Sequence, residues 1–275
     1  MNADPILENA SDEQLNRAVE ENVFAMFHAM TQVLNGEMEE TARLGRYHTS
    51  PSSPIFKGAY RANLAPEVAD EAILETIAWF KDRNAPFFFW WAGNDTQPGD
   101  LGERLVRHGF SVFEKDAPAM VAEIDKLNWN HPRPEELRLA PITNEGQLLQ
   151  WKQTFIEAFG IPEFAGQAWV DATQAVGIGQ TPWHLLLGTL NSEPVCCGLL
   201  YCGAGVAGLL GLGTLPAYRR KGIGSAMQLA RLQIARELGY RYAVLFASEM
   251  GYSPYIKLGF KDTGRRVSRY LWRNG

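Results

Sequence analysis

Six residues, Arg219-Arg220-Lys221-Gly222-Ile223-Gly224, carry the most legible chemistry in this chain. They follow an apolar run from Leu209 to Leu215, closed by Pro216. Behind them comes a helical spacing of Ile223, Met227, Ala230 and Ile234 that ends at Gly239. A strand therefore runs through a short basic turn into a helix. Backbone N–H groups in such a turn and in the first helical turn lack internal partners, and the helix dipole favours negative charge there. Gly222 and Gly224 have no Cβ to hold a diphosphate off the main chain, and Arg219 adds a charge-assisted contact. The same residues also suit a plain strand–turn–helix corner with solvated arginines. Gly211-x-Gly213 lacks the third glycine of a dinucleotide fingerprint, Pro216 standing in its place, and no Gly-x-x-x-x-Gly-Lys-Ser/Thr run occurs.

The spacing Arg219-x-x-Gly222-x-Gly224 resembles the Arg/Gln-x-x-Gly-x-Gly/Ala signature of the GNAT superfamily of acyl-CoA N-acyltransferases. Downstream, Ser248-Glu249-Met250-Gly251-Tyr252-Ser253-Pro254-Tyr255 resembles that family's Asn-x-x-Ala-x-x-x-Tyr stretch, with Ser248 for Asn and Gly251 for Ala. The resemblance implies acetyl-CoA as co-substrate. Its diphosphate would lie on Arg219, Arg220, Lys221, Gly222, Ile223, Gly224 and Ser225. Its pantetheine would lie along the main chain of Leu212, Gly213 and Thr214 as an added strand, with Ser248 hydrogen-bonding it. Tyr255 would sit beside the sulfur. A phenol of pKa about 10 and a thiol of about 8.5 are close enough for proton donation as the thiolate leaves. The reading of Tyr255 without the family is a ring packed ahead of Leu258 and Phe260.

Acyl transfer to an amine also needs a base, and the candidates are Glu157, Glu163 and Glu249. Of these Glu157, on the face after Trp151 and Phe155, is the one expected near the acceptor. A surface Glu is more often a solvated charge. Trp151, Trp169 and Trp183 could line an acceptor pocket, although such spacing more often marks core, and His184 reads as a strand residue with a satisfied ring.

These residues need elements to hold them. From Leu137 to Trp272 the pattern reads βααβββαβαβ, the order of the GNAT fold: a central, mostly antiparallel sheet flanked by helices in a mixed α/β (α+β) chain. Asn128–Glu136 breaks every periodicity and is the expected boundary, giving a span 1–130 and a second, 137–275. The first span opens on a capping box at Ser11–Gln14. Strands are expected at Thr41–Tyr47, Ile55–Leu64 and Phe87–Trp91. It also carries an echo, Leu105-Val-Arg-His-Gly109-Phe110 against Tyr255-Ile-Lys-Leu-Gly259-Phe260, which suggests a duplicated GNAT-like unit. Leu105 stands in the place of Tyr255, and Ala65-Pro66-Glu67 in the place of the glycine signature. The first span is therefore expected to bind no cofactor.

Composition bounds the partners. A formal net charge of −5 argues against broad nucleic-acid or anionic-membrane binding, and no apolar run approaches a membrane span. With no leader pattern and three crowded cysteines, Cys196, Cys197 and Cys202, the expectation is a reducing cytoplasm, no metal, and a monomer or homodimer. Adjacent strand residues point to opposite faces, so Cys196 and Cys197 make no metal pincer. Two functions follow from the resemblance: an N-acetyltransferase acting on a small-molecule or peptide amine, or a non-catalytic acyl-CoA-binding or sensing module. Tyr255 favours the first, since a binder needs no proton donor at sulfur.

Overall fold

Ser11 opens the first helix, α1 (Asp12–Val33), by the expected reciprocal cap: Gln14 N donates to Ser11 Oγ at 3.3 Å and Ser11 N to Gln14 Oε1 at 2.9 Å. The computed structural model describes residues 5–274. After α1 come β1 (Glu37–Glu40), β2 (Gly45–His48), β3 (Lys57–Tyr60), α2 (Ala69–Asp82), β4 (Phe87–Gly93), α3 (Leu101–Arg107) and β5 (Ser111–Glu123). The chain continues through β6 (Leu137–Pro141), α4 (Glu145–Phe159), α5 (Glu163–Val176), β7 (Trp183–Leu190), β8 (Glu193–Gly203) and β9 (Val206–Thr214). It ends with α6 (Ile223–Glu237), β10 (Tyr242–Phe246), α7 (Glu249–Leu258) and β11 (Lys261–Arg273). The expected order from Leu137 onward is the observed one.

Two compact units divide these elements, and their bounds are not the two spans expected from sequence. The larger holds the chain up to Met26 together with Ala119–Thr263; the smaller holds Phe27–Pro118 and the residues from Gly264 on. Strand pairing is the reason. The end of β5 pairs antiparallel with β10, from Ala119↔Phe246 to Glu123↔Tyr242, while the end of β11 pairs antiparallel with β4, from Val267↔Gly93 to Arg273↔Phe87. The last strand of each sequence half is thus bonded into the unit built mainly from the other half. The aperiodic stretch Asn128–Glu136 lies inside the larger unit, where Trp129 Nε1 donates to Ile124 O at 3.0 Å and Asn128 N to Leu258 O at 3.0 Å. Pro and Asn break periodicity there within a compact unit.

In the larger unit the strands run β5-β10-β9-β8-β7-β6, all antiparallel except β9 and β10. Both hairpin turns place two residues at positive φ, Asn191 and Ser192 (51° and 70°) and Ala204 and Gly205 (51° and 73°). Such turns match the right-handed twist of the strands they join. Trp151, Trp169 and Trp183 are buried and meet edge to face, so they are core and not pocket lining. The smaller unit pairs β1-β2-β3 antiparallel, β3 with β4 parallel, and packs Ile73, Phe80, Phe88, Trp90 and Phe110 into its core. The strand expected over Thr41–Tyr47 breaks into a hairpin because Thr41 Oγ1 accepts from Arg43 N and Leu44 N, turning the chain.

One buried amide holds the β8–β9 hairpin to α1. Asn22 Nδ2 donates to Gly203 O at 2.9 Å and reaches Tyr201 O and Val206 O at 3.3 Å each. Leaving buried carbonyls unpaired costs about 1–3 kcal/mol. Asn22→Leu is therefore expected to lower unfolding stability by about 2 kcal/mol in urea denaturation, and a variant as stable as the parent would show that the hairpin closes without it.

Candidate active site

The site grows from a parallel ladder that stops early. β10 pairs with β9 at Ala243↔Ala207 and Val244↔Gly208, near the start of β9. Further along, β9 bulges: Gly211 takes φ +56°, and the β8–β9 register shifts between Cys197 and Leu199. The half of β9 that holds Leu212, Gly213 and Thr214 is bonded to β8 on one edge and parts from β10 on the other. α4 roofs one face of it. A Cβ on Gly211 would lie 3.3 Å from the Phe155 ring, and one on Gly213 would lie 2.8 Å from Ala158 Cβ. The run expected to receive an added strand has an edge available for one.

Beyond β9 a short 3-10 turn, Pro216–Tyr218, delivers the basic loop. Arg220 and Gly222 both sit at positive φ, 63° and 77°, and the first α6 bond runs from Ala226 N to Gly222 O. The N–H groups of Gly222, Ile223, Gly224 and Ser225 precede that bond. No side chain caps α6 and no acid stands in its first turn, whereas α4, α5 and α7 begin with Glu145, Glu163 and Glu249. Gly224 has room around it, the nearest atom to an added Cβ being Thr214 Oγ1 at 3.5 Å. An uncapped, acid-free, glycine-bearing helix start suits a diphosphate.

Within the loop the side chains divide their work differently from expectation. Arg219 is turned to the protein: its Nε donates to Thr214 O at 3.0 Å and its Nη2 to Ala158 O at 2.9 Å. It ties β9 and α4 to the loop rather than offering its charge outward. Ile223 is buried in the core, so only its N–H can face an anion. Arg220 and Lys221 are exposed, Lys221 Nζ lying 5.4 Å from the centre of the Tyr218 ring. Gly222 is pinned from outside, since a Cβ there would come within 2.2 Å of Pro132 O.

Ser248 is the N-cap of α7, its Oγ accepting from Gly251 N at 3.2 Å. A Cβ on Gly251 would press within 2.9 Å of the Tyr255 ring, so the two residues are closely packed. Tyr255 packs against the cluster holding Leu209, Leu245 and Ala247, where β9 and β10 part. The residue is half-buried, and its hydroxyl is desolvated. Burial pushes the phenol pKa up; the Arg231 charge and the Gln228 side chain oppose that rise. Glu157 is exposed on α4, beside the residues that face β9. Glu163 lies near Lys152 at 3.4 Å, Glu249 is exposed at the start of α7, and burial lowers the pKa of the partly buried His184.

Gln228 and Arg231 were not among the residues singled out from sequence. Both are fully buried on the inner face of α6 beside Met227 and Leu232. The available signal was a Gln and an Arg three apart on the face of an apolar helix, where polar groups are rare unless paired. Cys196 and Cys197 are buried free thiols next to this face, and burial pushes the Cys196 pKa up to about 12.

The smaller unit repeats the parting of a parallel pair and then closes it. β3 and β4 pair at Gly58↔Phe89 and Ala59↔Trp90. Past that point Gln97 N donates to Ala62 O at 2.9 Å and Leu64 N to Gln97 O at 3.1 Å, so the chain itself fills the gap. The sequence echo is also structural. Phe110 N donates to Leu105 O and Phe260 N to Tyr255 O, and Gly109 and Gly259 both exit their helices at positive φ.

A mixed α/β sheet, a bulged strand and a basic, glycine-bearing helix start together define the GNAT fold. The acetyltransferase (GNAT) family model matches residues 128–260, and that part of the chain is a GNAT acetyltransferase domain, of a superfamily whose chemistry is acyl transfer from acyl-CoA. Among solved structures it is similar to a GCN5-related N-acetyltransferase from Kribbella flavida (17% identity, 94% of this chain and 96% of that one, TM-score 0.69). It is also similar to one from Sphaerobacter thermophilus (16%, 95% and 94%, TM-score 0.61). A tandem GNAT protein from the clavulanic acid biosynthesis pathway matches at 10% identity over 98% of both chains, TM-score 0.58. At these identities the likeness is one of fold. A search of curated proteins found no match. Among the described residues no group of three or more His, Cys, Asp or Glu can hold a metal, and no helix is long and apolar enough to cross a membrane.

The two loop glycines separate folding from binding. Gly222→Ala is expected to lower the melting temperature by several degrees without any ligand, because of Pro132 O and the positive φ. Gly224→Leu is expected to melt with the parent yet lose the stabilisation that millimolar acetyl-CoA gives. Thermal shift with and without acetyl-CoA reads both, and a Gly224→Leu protein still stabilised by acetyl-CoA would exclude this helix start as the diphosphate site.

Proposed function

We propose that the chain is an N-acetyltransferase that moves an acetyl group from acetyl-CoA to a primary amine on a small molecule or peptide, by direct attack in a ternary complex. The observation that carries this is the desolvated Tyr255 hydroxyl at the point where β9 and β10 part. Acetyl-CoA would supply the thioester-activated acetyl group. The N–H groups of Gly222, Ile223, Gly224 and Ser225 hold the diphosphate, with Arg220 and Lys221 screening its charge from the rim. The main chain of Leu212, Gly213 and Thr214 bonds the pantetheine arm, and Ser248 can donate its hydroxyl proton to that arm while its oxygen caps α7. A main-chain N–H of the same β9 run donates to the carbonyl oxygen as it gains charge. Tyr255 gives its proton to the departing sulfur. Glu157, exposed on α4, takes the amine proton through water.

A binding or sensing module would need the same cradle but not a phenol with a desolvated hydroxyl. The cytoplasmic, reducing setting read from the cysteines fits buried thiols whose pKa values burial raises, and it forms part of this proposal.

Two measurements test it. Tyr255→Phe keeps the ring and removes the hydroxyl, so turnover on an accepted amine should fall on the order of a hundredfold while acetyl-CoA affinity stays near that of the parent. Equal turnover would remove Tyr255 from the mechanism. Calorimetry should give one acetyl-CoA per chain, because Gln97 closes the corresponding gap in the smaller unit. Two sites per chain would overturn that assignment.

A further inference from the structure

In the smaller unit, one face of the β4–β11 pair changes character partway along. On β4 the residues of that face are Phe88, Trp90 and Ala92, continuing to Asn94 just past its end. On β11 they are Trp272, Tyr270, Ser268 and Arg266. Across the strands Phe88 pairs with Trp272, Trp90 with Tyr270, and Ala92 with Ser268. The first two pairs are large and build the apolar cluster or pack against it. At Ala92 and Ser268 both partners are small, and Gly99 and Gly102, at the start of α3, bring no side chain to fill the space. A cavity of about 240 Å³ opens there. An added Cβ on Gly102 would collide with the Tyr270 hydroxyl, so the phenol lies against the backbone of α3.

The polar groups that line this cavity are of two kinds. Beyond the end of β4 they are donors. Arg266 brings a guanidinium, with Nη1 donating to Arg265 O at 2.8 Å. Asn94 Oδ1 accepts from Arg266 N at 2.5 Å, which leaves the amide NH2 to donate. Thr96 Oγ1 accepts from Gly93 N at 2.9 Å, which leaves its hydroxyl proton. One strand position further in stands an acceptor. Asp116 is held by the buried Ser268, whose Oγ accepts from Asp116 N at 3.0 Å and donates to Asp116 Oδ1 at 3.3 Å. One hydroxyl does not fill the lone-pair sites of a carboxylate. Burial and the Asp116 charge raise the pKa of Tyr270, so its phenol stays a donor at neutral pH. We propose that this cavity binds a small zwitterion, an amine and a carboxylate on one short carbon frame, as in a free amino acid. The ligand's carboxylate lies toward Arg266, Asn94 and Thr96, and its ammonium group toward Asp116. An anion alone would leave Asp116 unused, and a cation alone would leave the donors unused. The volume is below the roughly 300–1,000 Å³ of a pocket for a drug-sized ligand, so the frame is short. The lining residues all belong to the smaller unit, and none is part of the acyl-transfer site.

The test uses the whole protein with fluorotyrosine at position 270 and follows its fluorine NMR signal without acetyl-CoA. Glycine, β-alanine and γ-aminobutyrate are titrated as zwitterions of increasing spacing, with propionate and propylamine as single-charge controls. At least one zwitterion is expected to move the signal saturably and to bind about tenfold more tightly than either control. Asp116 sits at φ 52°, a conformation Asn also tolerates, so Asp116→Asn should melt with the parent. Its binding of the zwitterion should weaken about tenfold. Arg266→Gln should weaken the zwitterion as much and leave propylamine unchanged. No saturable movement with any of the three at tens of millimolar overturns the site. So does calorimetric binding that leaves the signal still and survives Asp116→Asn, since the zwitterion would then be held elsewhere in the chain. A control that binds as tightly as the zwitterions overturns the ligand class. With acetyl-CoA absent, none of these outcomes depends on the acyl-transfer reading.

Discussion

The acyl transfer proposed for this chain depends on two residue pairs of parallel sheet and on the ladder going no further. Ala207↔Ala243 and Gly208↔Val244 hold β9 against β10, and then β9 turns away at the bulge around Gly211. An unpaired strand edge inside a protein is costly unless something else satisfies its N–H and C=O groups. Here β8 bonds one edge, and the other parts from β10. Had the parallel pairing continued to Thr214, there would be no main chain for an acyl carrier to bond and no recess for Tyr255. The loop and α6 could be unchanged and the protein would have no site.

The parting is held open from the side by polar groups in the core. Arg231 must be desolvated to reach Leu199 O and Leu210 O, and burial lowers its pKa to about 10, which still leaves it charged near neutrality. Placing a charge in the core is expensive, and an apolar residue of similar size would often serve stability equally well. The bulge supplies a local reason for the expense. Two carbonyls leave the regular ladder there, and a donor that reaches both is what prevents them from re-pairing in another register.

The fold could be read from the sequence to a large extent because its signals are local. Short apolar runs mark β7, β8 and β9; Asn191-Ser192 and Ala204-Gly205 mark the tight turns; Gly222 and Gly224 mark the loop. What escaped notice depends on contacts distant in sequence. Nothing near Asn128–Glu136 reveals that β5 pairs with β10 and β11 with β4, so the break in periodicity does not show how the strands are shared between the two units. Arg219 looks like an anion ligand until its two carbonyl partners, Thr214 and Ala158, are in place. Gln228 and Arg231 went unremarked because the apolar stripe was drawn through Ile223, Met227, Ala230 and Ile234. The buried face runs instead through Met227, Gln228, Arg231, Leu232 and Ala235. The polar members of that face were the signal, and a search for apolar residues passes over them.

The smaller unit makes the same point from the other side. It has a parallel pair that parts after two residues, a helix ending in the same glycine-and-phenylalanine exit, and a bulky apolar residue, Leu105, fully buried at the helix position that Tyr255 holds in the larger unit. What it lacks is an empty edge. Gln97 bonds to Ala62 and Leu64 through main-chain groups, which is what an incoming acyl carrier would have to do. A side chain in the way can be removed by mutation or by a small movement. Backbone hydrogen bonds from the chain's own loop compete at a far higher effective concentration than any free ligand. Loss of the glycine signature and loss of the tyrosine would each weaken a site, and filling the edge would abolish it. The edge of the smaller unit is in this view closed by its own chain.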